Sequence, residues 1–124
     1  MEHELLFGPA ADELRIRVTG LATVDGFLRM IDDGIGDPRW RPPMRALLDY
    51  TDLDMSALSA EQMRQVAAHA TAFDAQLAGA RVAVLAPRAL TYGLARLSAA
   101  AAQLTTAEVQ VFGERDAAES WLAS

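Results

Sequence analysis

Arg81–Val82–Ala83–Val84–Leu85–Ala86–Pro87 is the stretch on which the fold turns. From Val82 to Ala86 every residue is apolar, with no polar alternation. That is the pattern of a central strand covered on both faces. Pro87 closes it, because proline has no N–H to give to a ladder. Downstream, Leu90, Leu94, Leu97, Ala101 and Leu104 fall on the inner face of a helix. Val109 and Val111 form a last strand ending at Phe112 and Gly113, and a terminal helix follows, anchored by Ala118, Trp121 and Leu122. Upstream, Ser59–Ala60–Glu61–Gln62 is a capping box, serine at the cap and glutamine three residues on. The helix behind it carries Met63, Val66, Ala70, Phe73 and Leu77 on one stripe and ends at Gly79. Ala46–Leu47–Leu48 reads as a strand ending in Asp49.

The first third begins with a hairpin. Glu4–Phe7 is a short strand, Gly8–Pro9 a turn with Asp12 in the same loop, and Leu14, Ile16 and Val18 then alternate with Arg15, Arg17 and Thr19. Thr23 caps a helix starting at Val24, with Asp25 in its first turn, where the helix dipole favours negative charge. Phe27, Met30 and Ile31 make its buried face, and Gly34 is the stop signal. The prolines of the segment from Gly36 to Pro43 forbid a regular element. The order is β-β-α-β-α-β-α-β-α, an α/β chain whose mixed sheet is mostly parallel and wound with about four helices. Residues 1–124 read as one domain, with no repeat and no internal boundary.

Composition narrows the function classes. The chain is 52% hydrophobic, enough to build a core without disulfides, and it has no cysteine for thiolate zinc or nucleophilic chemistry. Its net charge of −6 opposes generic nucleic-acid binding, which is driven by phosphate neutralisation, and equally opposes anionic membranes. The acidic start, Met1–Glu2–His3–Glu4, lacks the basic region of a secretory signal, and no apolar run approaches a membrane span. A cytoplasmic location is expected. All eleven basic residues are arginine.

Several segments together resemble the SpoIIAA-like proteins, small STAS-like domains often grouped with the CRAL-TRIO lipid-binding fold. They are Arg81–Pro87, Tyr92–Gly93–Leu94–Ala95–Arg96, Val109–Gln110–Val111–Phe112 and Ala117–Ala118–Glu119–Ser120–Trp121–Leu122, with Gly20 to Asp25 and Leu47–Leu48–Asp49 also fitting. The resemblance implies a SpoIIAA-like sheet wound with helices, in a group that is mostly bacterial and functionally uncharacterised. One departure matters. Anti-sigma-factor antagonists of this fold carry Asp-Ser-Ser-Gly after the third strand, with a phosphorylated serine. Here the segment is Asp49–Tyr50–Thr51–Asp52–Leu53–Asp54–Met55–Ser56. Ser56 or Ser59 stands in a similar place, but neither matches the motif, and the phosphorylation role does not transfer to them.

Three groups could carry chemistry. Asp49, Asp52 and Asp54 lie beyond the carboxyl end of a strand, where open α/β sheets bind ligands, and carboxylates there could hold a magnesium ion; aspartates also serve as turn residues. Arg88, Tyr92 and Arg96 are spaced to stack along one helix face and could bind an anion, or Arg96 could simply stack on Tyr92. Arg39–Trp40–Arg41 between prolines has the composition of an interaction hot spot, though a loop tryptophan can equally fold over the core edge. His3 and His69 have no acid partner at a recognisable spacing. Neither a nucleophile elbow nor a phosphate loop is present, so no cofactor is expected. The reading that results is a non-enzymatic regulatory module of STAS-like fold acting through a protein partner or as a homodimer. The alternative is a carrier of a small ligand, a lipid or an acidic metabolite, with an apolar cavity beneath Leu90, Leu94 and Phe73. A magnesium-dependent enzyme is the third reading.

Overall fold

The computed structural model describes every residue, Met1–Ser124. Its elements are β1 (Glu2–Phe7), β2 (Glu13–Leu21), α1 (Val24–Ile35), β3 (Arg45–Asp49), β4 (Leu53–Asp54), α2 (Ala60–Thr71), β5 (Arg81–Leu85), α3 (Ala89–Ala101), β6 (Glu108–Phe112) and α4 (Arg115–Ala123). The main sheet runs β1-β2-β3-β5-β6, with β1 antiparallel to β2 and all other neighbours parallel. The expected order therefore gains one strand. The two residues of β4 pair with Gly20 and Leu21 at the far end of β2, a match too short to leave a period in the sequence.

The alternation in β2 sorts the sheet into two faces. Leu14, Ile16 and Val18 are buried with Val82 and Val84 of β5 against Phe27 and Met30 of α1, Met63 and Val66 of α2 and Ala95 of α3. The opposite face is covered by α4 alone. Ala118 and Leu122 pack there on Leu47, Ala83 and Leu85. Three arginines fasten α4. Arg15 makes a two-pronged ion pair with Glu119. Arg45 donates to the Leu122 carbonyl at 3.3 Å, and Arg81 to the Ser124 carbonyl at 2.6 Å. Cations at the last carbonyls of a helix complement its dipole. Arg81 also lies 4.4 Å over the Trp121 ring.

Two boundaries and one buried face differ from expectation. Gly34 does not stop α1, which continues to Ile35 and ends at Gly36. Gly34 is buried, and a Cβ there would meet Ile16 Cδ1 at 3.4 Å, an ordinary contact, so it packs against the sheet as part of the helix interior. The α2 helix ends at Thr71, eight residues before Gly79. From there the backbone tightens: Ala72, Phe73 and Asp74 donate to the carbonyls three residues back. Thr71 Oγ1 and the Asp74 carboxylate accept from the Gln103 and Thr105 amides of the segment after α3, which anchors these turns. Gly79, at φ +71°, ends them. On α3 the buried residues are Thr91 and Ala95, whereas Leu90 is 54% exposed. Leu94, Leu97 and Leu104 still pack against the core, so among these leucines Leu90 alone leaves the expected face. The two caps read from sequence are present: Thr23 accepts from the Gly26 amide, and Ser59 with Gln62 forms the complete capping box.

Candidate functional site

On the inner face of the sheet the side chains of Ala46, Leu48 and Tyr50 follow one another along β3 and just past its end. Facing them across the layer are five alanines: Ala67 and Ala70 of α2, and Ala95, Ala99 and Ala102 of α3 and its exit. Such short side chains do not reach the sheet. The space left is a cavity of about 140 Å³ between the sheet and helices α1 to α3. Of its 24 lining residues 22 are hydrophobic, and no charged residue is among them. The exceptions are Gly34 and Ser98, so the polar atoms of the wall come from Ser98, Tyr50 and Trp40. The cavity is not the one expected beneath Leu90, Leu94 and Phe73, since none of those three lines it.

The aspartates do not converge. Asp49 accepts from the Thr51 amide and hydroxyl, at 3.0 and 2.6 Å, and from Arg115 at 2.6 Å. Burial disfavours its charge, but the bonds from Thr51 and Arg115 outweigh it and hold the carboxyl below its ordinary range. Asp52 pairs with Arg17 at 3.0 Å, and Asp54 accepts from the Ser56 amide at 2.9 Å. Each carboxylate thus has its own partner, and nowhere do three metal-ligating acidic or histidine side chains gather. Ser56 is exposed in the turn that Asp54 closes, and the Ser59 hydroxyl is engaged as the α2 cap.

The arginine–tyrosine row is also divided. Arg88 stands at the cap position of α3 and donates to the Thr51 and Leu53 carbonyls, each at 3.0 Å, clipping the loop between β3 and β4. Arg96 lies 5.9 Å over the Tyr92 ring, the stacking alternative. In the third group, Trp40 is 9% exposed and its indole N–H donates to the Gln76 carbonyl at 2.9 Å. It ties the loop to the turns after α2 and forms part of the cavity wall. Arg39 forks onto Asp37 and covers the Phe7 ring at 4.2 Å, while Arg41 is exposed. The three residues therefore do not share one surface. Both histidines find acids that sequence spacing hides: His3 sits 2.7 Å from Asp33, and His69 2.7 Å from Asp32. Adjacent residues of α1 thus link it to β1 and to α2.

Sequence reasoning did not single out Tyr50. Its signal was parity: it continues the inward positions Ala46 and Leu48 by one step, into a segment legible only as a polar loop. Tyr50 is 6% exposed, with its ring edge-on to Phe27 at 5.7 Å.

No protein-family model matches the chain, and no curated protein matches it. Among solved structures it is similar to an uncharacterized protein of the DUF3478 family with a SpoIIAA-like fold from Shewanella loihica PV-4. The TM-score is 0.60 at 19% identity, over 97% of this chain and 93% of that one. The likeness spans both chains almost end to end, and with the sheet order and four helices described above it establishes that this protein has a SpoIIAA-like fold.

Proposed function

We propose that this protein binds a compact, largely apolar small molecule in the cavity between its sheet and helices α1 to α3, without chemical turnover. The single observation carrying this reading is the cavity itself, about 140 Å³ with an almost wholly apolar wall. Dry apolar cavities near 150 Å³ accept single-ring molecules. The size argues against a full lipid chain, and the uncharged wall argues against an acidic metabolite, since an unpaired buried carboxylate is strongly disfavoured. The test is titration with toluene, followed by the methyl resonances of Ala67 and Ala95. Saturable shifts in the protein, lost in an Ala95→Leu variant that stays folded, are expected. Resonances that do not move at saturating toluene would overturn the proposal.

A second reading, a regulatory module that works through a protein partner or a second copy of itself, draws on a different observation. The α4 helix covers the middle of the outer face and reaches β2 through the Arg15–Glu119 pair, leaving the edge strand β1 bare beside it. Leu6 is 63% exposed there, on the edge strand β1. Sedimentation across a wide concentration range tests it. A concentration-dependent dimer abolished by Leu6→Glu supports self-association through this edge, and a monomer at every concentration removes it.

A further inference from the structure

Tyr50 sits where β3 has just ended, and its amide donates to the Leu85 carbonyl at 2.9 Å, which fixes the backbone. Its side chain continues the inward row of β3, and its ring lines the cavity. The other polar groups of the wall are differently placed. The Trp40 indole N–H is spent on the Gln76 carbonyl, and Ser98 is half-buried on α3. No protein group hydrogen-bonds the Tyr50 hydroxyl, although the residue is 94% buried by its 6% exposure. Every side-chain nitrogen or oxygen that the protein fully encloses has a partner. The unpartnered Tyr50 oxygen is therefore not fully enclosed, and it belongs to a side chain that lines the cavity.

From this placement we infer that the Tyr50 hydroxyl is the polar anchor of the cavity, and that the favoured ligand is an uncharged ring-sized molecule presenting one carbonyl oxygen to it. This rests on the reading that the cavity binds a ligand. Burial raises the phenol's pKa, so the hydroxyl keeps its proton and acts as a donor. A donor left without an acceptor in a desolvated site penalises a pure hydrocarbon, and a carbonyl removes that penalty. An apolar pocket with one placed polar group is also how small-molecule sites fix orientation.

The test compares cyclohexanone with methylenecyclohexane, nearly identical in shape, on the natural protein and on Tyr50→Phe. The variant should weaken the ketone about fivefold to tenfold and leave the hydrocarbon within about twofold. On the natural protein alone, the isotope-edited carbonyl stretch of bound cyclohexanone should move to lower frequency than in hexane, which needs no variant. If the hydrocarbon binds but Tyr50→Phe weakens both ligands equally, or the carbonyl band stays at its hexane position, the anchor is wrong and the cavity reading survives. If neither ligand binds, the cavity reading fails and the anchor with it.

Discussion

Replacing Gly34 with alanine should make the protein more stable. Gly34 lies in the last turn of α1 with no positive φ, so alanine meets no backbone obstacle. A methyl there would touch Ile16 Cδ1 at 3.4 Å and Leu14 Cδ2 at 3.8 Å, both the mobile ends of side chains. Helix interiors favour alanine over glycine by about 1 kcal/mol, and near a helix end about half of that applies. Partial burial of the methyl adds roughly 0.5 kcal/mol. The sum is about 1 kcal/mol, equivalent to a rise of about 4 °C in Tm for a domain of this length. Urea denaturation followed by circular dichroism measures it, with an unchanged slope required for the comparison. A variant less stable than the natural protein by 0.5 kcal/mol or more would refute the reasoning. It would mean that the Ile16 side chain cannot yield and that α1 is pressed onto β2 more tightly than the distances indicate.

Two further outcomes test the charged anchors. The folded state holds the Asp49 carboxyl below its ordinary value of 3.8, so its contribution is complete above that value and is lost as pH falls through the lower folded pKa. Asp49→Asn should therefore be less stable at pH 7 by about 1 kcal/mol, with a gap that starts to close near pH 4 and narrows as the pH falls further; a gap that widens with falling pH contradicts the assignment. Arg81→Ala removes both the contact with the Ser124 carbonyl and the stack on Trp121, and should destabilise by about 1 to 2 kcal/mol. Hydrogen exchange should rise in α4 before it rises elsewhere, and uniform loss of protection would contradict a local role.

Features that leave a local pattern were legible from sequence. The Thr23 and Ser59 caps are contacts within three residues, and the unbroken run at Val82 and the alternation of β2 record which faces of each strand are covered, whatever covers them. Features set by distant contacts were not. The α2 helix ends where Thr71 and Asp74 receive amides some thirty residues away, and nothing near Thr71 announces it. Leu94 and Leu97 of α3, with Leu104 just past its end, pack against the core as read, but Leu90 does not, and the fully buried residues of α3 are Thr91 and Ala95. The candidate site was displaced as well. A cavity is an absence of side-chain volume, and its sequence trace is the set of alanines on α2 and α3, which composition alone makes look like bias. The candidate clusters of aspartates and arginines were neighbours in sequence, but Asp49, Asp52 and Arg88 are each engaged by a different distant group, and Arg96 only stacks on Tyr92.

The sheet is a partition between two compartments of unequal strength. Behind it, α4 closes a small core of five buried residues, fastened mainly by arginines at its rim. In front of it lies the larger core of nineteen buried residues, many of which also line the cavity. Detaching α4 would strip one side of β3 and β5 while leaving every wall of the cavity in place, because no residue of α4 contributes to that wall. The two compartments can therefore fail separately, and loss of α4 would expose the Leu47, Ala83 and Leu85 side of the sheet while the wall on the other side stayed whole.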